Sequence, residues 1–293
     1  MTSTSTQSDR AALSDHDLAL RSVAYRRSML RWIKHAGAGH TGGGLSCIDI
    51  LNVLYNRVLR VSPEAFGDPD RDRYIQSKGH AVEALYVVLA DRGFFPEARL
   101  ETLCGYDSPF VGHPTRAVPG IEHNTGALGH GLSIGVGTAI AGKKDRRDFR
   151  VYVLMGDGEL AEGSNWEAAM SAAHYRLDNL VAIVDHNTLQ ITGRTRDVCC
   201  NEPLDEKFRA FNWDVRTVDG HDFAALTDAL VSAGPTGRPR VVIADTVKGK
   251  GVSFMQDVAK WHHGVPSDGE YAQAVRELDA LSEQLARGRG GAR

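Results

Sequence analysis

The sequence predicts an α/β fold: a central, mostly parallel sheet with helices on both faces. Three observations carry this expectation. Residues 151–155, 180–184 and 241–244 form short, nearly continuous apolar runs, as strands buried on both sides do. Segments with helical periodicity separate them, near 165–175, 223–233 and 268–285. No internal repeat or long Pro/Ser linker interrupts the alternation, so one domain accounts for it.

Taken in order, residues 1–12 are rich in Ser and Thr and are expected to be a disordered tail. The expected domain covers 13–287, and 288–293 form a Gly/Arg-rich, flexible end. A first helix is predicted over about 15–35, with Leu18, Val23, Leu30 and Ile33 on one face. A second is predicted over about 46–58, a strand at 73–77 and a third helix over about 81–92. Residues 126–142 are rich in Gly and Ala. Gly131, Gly135 and Gly137 weaken a helix there unless close packing demands them, either at a subunit contact or at a tight crossing within the chain. Residues 212–218 read as a fourth buried strand.

Of the 293 residues, 42% are hydrophobic and 24% charged, enough for a sizeable core. A net charge of -3 gives no reason to expect nucleic acid or an anionic membrane as partner. No apolar stretch approaches the ~18 residues that span a bilayer, and residues 1–10 lack the apolar core of a signal peptide. The default expectation is cytoplasmic. None of the four cysteines forms a CxxC pair. Adjacent Cys199 and Cys200 are either a vicinal disulfide or redox sensor, or two ordinary thiols.

The sharpest local signal is an apolar strand ending in Gly156-Asp157-Gly158-Glu159. Gly156 and Gly158 permit a tight turn and close backbone approach by a ligand. Asp157 projects at the strand's carboxyl edge, where ligands of such sheets bind and where a hard cation finds oxygen. Ser164 and Glu167 have capping-box spacing, and a helix starting there favours a bound anion. The next strand ends in Asp185-His186-Asn187, so Asn187 follows Asp157 by about 30 residues, one βαβ unit. Carboxylate, amide and carbonyl oxygens suit Mg²⁺.

This pair resembles the thiamine-diphosphate signature. The resemblance implies a thiamine-diphosphate-binding fold in which Asp157, the Asn187 side chain and the Leu189 carbonyl hold Mg²⁺, or Ca²⁺ in its place. It also implies that the Gly158 amide meets the diphosphate, with Gly156 and Glu159 in the same cofactor-binding turn. Relatives often have Asn where this chain has His186.

Four segments place His next to Gly: Gly39-His40, Gly79-His80, Gly112-His113 and His262-His263-Gly264. Histidine suits proton transfer near neutral pH and hydrogen bonding to sugar hydroxyls or phosphate. With Ser77-Lys78-Gly79-His80-Ala81, Gly112-His113-Pro114 and Thr125-Gly126-Ala127-Leu128-Gly129-His130-Gly131, the chain resembles the transketolase family over residues 21–266. The resemblance implies that His40 and His263 face the reacting carbon, and that His80 and His263 touch the diphosphate. His113 would bond the donor's C1 hydroxyl. Gly126, Leu128 and Ile191 would pack around the cofactor rings, and Lys248 would lie in a loop closing over the site. Thr41 and His130 stand where relatives commonly have Pro and Gln.

In this family the glutamate that activates the cofactor lies on a second, pyrimidine-binding domain that the chain lacks. The resemblance therefore implies a C-terminal partner subunit, an α2β2 assembly and two-carbon ketol transfer between sugar phosphates. Glu162 would meet the partner's glutamate, or else serve only as a first-turn acid complementing a helix dipole. Other readings are a 2-oxoacid dehydrogenase or deoxyxylulose-phosphate synthase-like half, and a non-catalytic cofactor-binding regulatory subunit.

Overall fold

Strands β1 (Arg73–Gln76), β2 (Val151–Gly156), β3 (Leu180–His186), β4 (Asp214–Asp219) and β5 (Arg240–Asp245) form one parallel sheet, ordered β1-β2-β3-β5-β4. This computed structural model describes residues 13–288; the expected disordered tails, apart from Gly288, lie outside the described residues. The three apolar runs are the central strands, and β2 is buried at every position. The segment expected as a fourth buried strand is instead the half-exposed edge strand β4. It starts at Asp214 because Asn212 turns left-handed (φ 67) and buried Trp213 packs on Phe208.

Alternation along the strands feeds two cores. Tyr152, Leu154, Val181 and Ile183 face α1 (Asp15–Ala36), α2 (Thr41–Val53), α3 (Val82–Asp91), α8 (Phe223–Val231) and α9 (Asp268–Gly288). Val151, Val153, Met155 and Leu180 face α4 (Gly131–Lys144), α5 (Gly163–His174) and α7 (Leu204–Ala210). Each such side chain, fully buried, contributes about 1.5–3 kcal/mol. Ser14 and Asp17 cap α1 reciprocally, and Gly37 ends it left-handed (φ 66). Between α6 (Thr195–Val198) and α7 lie the free, exposed Cys199 and Cys200.

Helix α2 begins at Thr41, ahead of the expected 46, and its last turn widens into a π turn, Leu54–Val58. Three successive glycines hide the start from any propensity argument. A Cβ on Gly44 would lie 2.6 Å from Met29 Sδ, and one on Gly42 would lie 2.7 Å from the Trp261 carbonyl. Packing, not propensity, makes this helix.

The glycines of α4 divide. A Cβ would collide with Ser77 at Gly131, with Val153 (2.6 Å) at Gly135 and with Phe149 at Gly142, so these three serve crossings within the chain. Gly137 faces nothing within 4 Å. No helix among the described residues is long and apolar enough to cross a membrane.

Because every strand runs the same way, the loops carrying His80, Asp157, Asn187 and Lys248 leave one edge of the sheet. The α4 contacts yield a paired prediction. Gly135→Val should lower the chain's stability by roughly 1–3 kcal/mol, whereas Gly137→Ala should raise it by about 0.5–1 kcal/mol. Urea denaturation of the isolated chain measures both; equal effects would contradict the division.

Candidate functional site

Beneath the strand ends lies a buried ion pair. Asp185, at the end of β3, is 0% exposed, and Lys78, just beyond β1, is 1% exposed. The Lys78 ammonium bonds the Asp185 carboxylate and donates to the Gly43 carbonyl at 3.0 Å. Asp185 also accepts from Ser46 Oγ (2.6 Å), Asn187 Nδ2 (3.2 Å) and Thr246 Oγ1. Burial alone would raise its pKa; the Lys78 ammonium overrides that and holds it below the usual range. One carboxylate thus ties together the ends of β1, β3 and β5 and the head of α2.

The Gly-Asp-Gly turn sits directly above. The Asp157 amide donates to the Asp185 carbonyl at 3.3 Å. The Asp157 carboxylate accepts the amides of Gly158 (2.8 Å) and Thr188 (2.5 Å), so the Gly158 N–H expected to face a diphosphate is turned onto Asp157. Burial and the nearby Asp185 charge push the Asp157 carboxyl up to about 6. Asn187 Oδ1 accepts the Leu189 amide at 3.2 Å, and the Leu189 carbonyl accepts Lys248 Nζ at 2.9 Å.

These residues fit a divalent cation. One carboxylate destabilised by burial, one amide oxygen and one carbonyl form a hard-oxygen set, with Asn187 Oδ1 holding the Leu189 amide and the Leu189 carbonyl holding the Lys248 ammonium, bonds that a cation would have to displace. Among the described residues no three His, Cys, Asp or Glu gather as a metal site, but this set needs a single carboxylate. His186 is drawn away from it, with Nδ1 2.7 Å from Asp245 and Nε2 3.0 Å from Glu202.

Glu159 has both oxygens engaged by protein donors. Oε1 accepts Ser77 Oγ and the Gly129 amide (2.9 Å), and Oε2 accepts the Gly156 amide (3.0 Å). It shapes the turn from below. The expected Ser164–Glu167 capping box does not form. Ser164 Oγ donates to the Gly129 carbonyl at 2.8 Å, and α5 starts at Gly163 with Glu162 as an N-cap that makes no side-chain cap bond. A 3₁₀ turn, Gly158–Ala161, separates α5 from Asp157, so Asp157 meets the Gly158 amide of that turn and not the start of α5.

Above the other half of the edge stands a ring of imidazoles. His40, at the head of α2, has its ring 5.3 Å from His80, 6.0 Å from His113, 5.7 Å from His262 and 4.7 Å from His263. His80 and His262 stack at 5.2 Å. Burial and neighbouring imidazole and lysine charges lower His40 to about 4 and His262 to about 3, and push His80 down as well. These rings are neutral at physiological pH, each with one donor and one acceptor nitrogen.

Thr41 bonds the Gly264 carbonyl at 2.6 Å, clasping the His263 loop to α2. Gly126 (φ 138) backs onto His113, where a Cβ would lie 2.7 Å from the ring. Lys248 joins the two halves of the site, bonding His262 Nδ1 at 2.9 Å as well as Leu189.

The structure therefore brings together His40, His80, His113, His263 and Gly126, and separately Asp157, Asn187, Leu189 and Lys248. Leu128 is half-buried, while Ile191 and Glu162 are exposed. Sequence reasoning missed four members: Lys78, Asp185, His262 and Glu83. Glu83 is buried with Oε1 accepting the His40 amide at 3.4 Å, and burial pushes its carboxyl up to about 7. His262 had a signal, its place beside His263; Glu83 had none.

A parallel sheet with a carboxylate turn at one strand end, an amide at the next and a cluster of imidazoles beside them is the arrangement expected of the diphosphate-binding domain of a thiamine-dependent enzyme. The chain belongs to the transketolase family, matching the Transketolase, thiamine diphosphate binding domain over residues 21–282. It is 48% identical to one of the subunits of the apulose-4-phosphate transketolase of Phocaeicola vulgatus, covering 94% of this chain and 98% of that protein. It is 40% identical to 6-deoxy-6-sulfo-D-fructose transketolase subunit SqwG of a Clostridium species, covering 90% and 96%. The solved transketolase of Pichia stipitis in complex with sedoheptulose 7-phosphate superposes with TM-score 0.83 at 27% identity, over 94% of this chain but 45% of that one. The protein is a transketolase subunit that spans about half of such a single-chain transketolase, and none of the other readings is favoured.

The buried groups generate two predictions. Lys78→Met leaves Asp185 charged and unpaired, and should cost roughly 3–5 kcal/mol in urea denaturation; a loss under 1 kcal/mol would remove the pair from its central place. Glu83 rises from 4.5 to about 7 on folding, so its stabilising contribution is complete below pH 4.5 and is lost as pH climbs through 7. Relative to Glu83→Gln, the wild type should therefore lose about 3 kcal/mol between pH 4 and 8. A pH-independent difference between the two proteins would refute this.

Proposed function

We propose that this chain is the diphosphate-binding half of a heteromeric, cytoplasmic transketolase that moves a two-carbon ketol unit from a ketose phosphate to an aldose. The observation that carries the reading is the bridge made by Lys248, which joins the oxygen set around Leu189 to the imidazole ring. The names of the relatives point to ketoses with an anionic end, a phosphate in one and a sulfonate in the other.

Asp157, Asn187 and the Leu189 carbonyl hold Mg²⁺, with Ca²⁺ able to substitute. His80, His263 and Lys248 receive the diphosphate, joined by the Gly158 amide only once it is released from Asp157, and Gly126, Leu128 and Ile191 pack against the cofactor rings. Bound thiamine diphosphate supplies the electron sink through which a carbon–carbon bond beside a ketone opens. His113 orients the donor hydroxyl. His40 offers a neutral ring to the hydroxyl whose proton is transferred; His263 beside it shares that task. Gly156 and Glu159 keep the turn in shape. A C-terminal subunit bearing the pyrimidine-binding domain and its activating glutamate completes the site in an α2β2 assembly, where Glu162 meets that glutamate.

The test mixes the two purified subunits with thiamine diphosphate and Mg²⁺ and follows ketol transfer. Activity should require both chains, and substantial turnover by this chain alone would contradict the split. In the assembled enzyme, Asp157→Ala should weaken Mg²⁺-dependent cofactor retention at least ~tenfold; unchanged retention would take Asp157 out of the metal site.

A further inference from the structure

The turn that carries Lys248 is gripped from behind by a buried network outside the site described above. Arg26 on α1 pairs with Asp49 on α2 through two bonds, Nη1–Oδ1 at 3.0 Å and Nη2–Oδ2 at 2.7 Å. Asp49 Oδ2 lies 2.7 Å from Nδ1 of His221, in the loop after β4. The three side chains are 5%, 5% and 11% exposed. His221 Nε2 accepts the Val247 amide at 3.0 Å, and Arg26 Nε donates to the Lys250 carbonyl at 3.0 Å. The residues on either side of Lys248 are thus held by one charge network.

We propose that His221, braced by Asp49 and Arg26, is a positioning residue that aims Lys248 into the site through a single neutral tautomer of its ring. A neutral imidazole has one donor and one acceptor. Val247 offers only a backbone N–H, so Nε2 is the acceptor and the proton sits on Nδ1, facing Asp49. Burial would raise Asp49, but the Arg26 guanidinium overrides this and holds it well below the usual carboxylate range, so it stays an acceptor.

The ring itself is fixed at its base. The His221 amide donates to Asp219 at 2.8 Å, and Gly220 lies so close to the end of β5 that a Cβ would collide with Thr246. Between the two anchors the turn has little freedom. The Gly249 amide bonds the Gly42 carbonyl at 3.1 Å, and Gly249 has φ 82. Lys248 is 2% exposed, with both of its bonds directed into the site. A four-carbon stem ending in a strongly hydrated ammonium stays buried only if its backbone is pinned.

The inference rests on reading Lys248 as a site residue, but its test needs neither cofactor nor partner. On the full chain with ¹⁵N-labelled histidine, NMR at neutral pH should show His221 as the Nδ1–H tautomer. His221→Phe should raise the acetylation rate of Lys248 by acetic anhydride, read by peptide mass spectrometry, at least ~tenfold, with a comparable rise in Val247 amide exchange. His221→Gln, whose amide oxygen can accept the same N–H, should stay within about threefold of wild type in both readouts. An Nε2–H tautomer would overturn the proposal without any variant. So would a Phe variant that leaves Lys248 unreactive, or Gln and Phe variants that loosen it equally. If the assembled enzyme proved to catalyse some other reaction, these readouts would be unchanged.

Discussion

The Lys78–Asp185 pair is the interaction on which the site's other features depend. Two ions taken wholly out of water lose several kcal/mol each in hydration, and their attraction offsets that loss only if every remaining lone pair is satisfied. Here that condition is met: Ser46, Thr246 and Asn187 complete the carboxylate, and the Gly43 carbonyl takes part of the ammonium. The gain is positional. Ser46 and Gly43 come from α2, Thr246 from the end of β5 and Asn187 from the end of β3, so the pair sets the relative heights of three strand ends and one helix head. It also sets the electrostatics above, because the Asp185 charge helps raise Asp157. A carboxylate raised in that way is best relieved by a cation.

The same positive charges act oppositely on the imidazoles. Lys78 and Lys248 both lower His40, His80 and His262, after burial has already done so. One edge of the sheet therefore holds a carboxylate that seeks positive charge and, in His40, His80 and His262, imidazoles kept uncharged. A metal-neutralised diphosphate suits the first, and hydroxyl protons in transit suit the second. The geometry separates these tasks by only the length of a lysine side chain.

Much of this was legible from the sequence, and the exceptions have physical causes. The buried strands and the Asp157–Asn187 pair could be read because strand burial and turn chemistry are local. The Ser164–Glu167 spacing looked like a cap, but the distant Gly129 carbonyl claims the hydroxyl, and no local rule contains that partner. Lys78 and Asp185 stand 107 residues apart, and neither is unusual until the sheet brings them together. Glu83 lay hidden on an apolar helix, where an acid reads as the exposed side. The three glycines at 42–44 concealed a helix whose reason is close contact with Met29 and Trp261.

The expectation about the α4 glycines marks the boundary between what one chain explains and what it leaves for a partner. Gly131, Gly135 and Gly142 are consumed by crossings inside the chain, so they give no support to association. A Cβ on Gly137 would meet nothing within 4 Å among the described residues, Ile191 is 70% exposed and Met170 is 51% exposed. An apolar side chain left in water is ordinary when it stands alone. Ile191, however, follows Leu189 by two residues, on the loop that bears an expected metal ligand, and Glu162 caps α5 beside Gly129 with its carboxylate in solvent. Under the proposed split, a partner subunit covering that loop and the start of α5 would account for both the exposed Ile191 and the exposed Glu162.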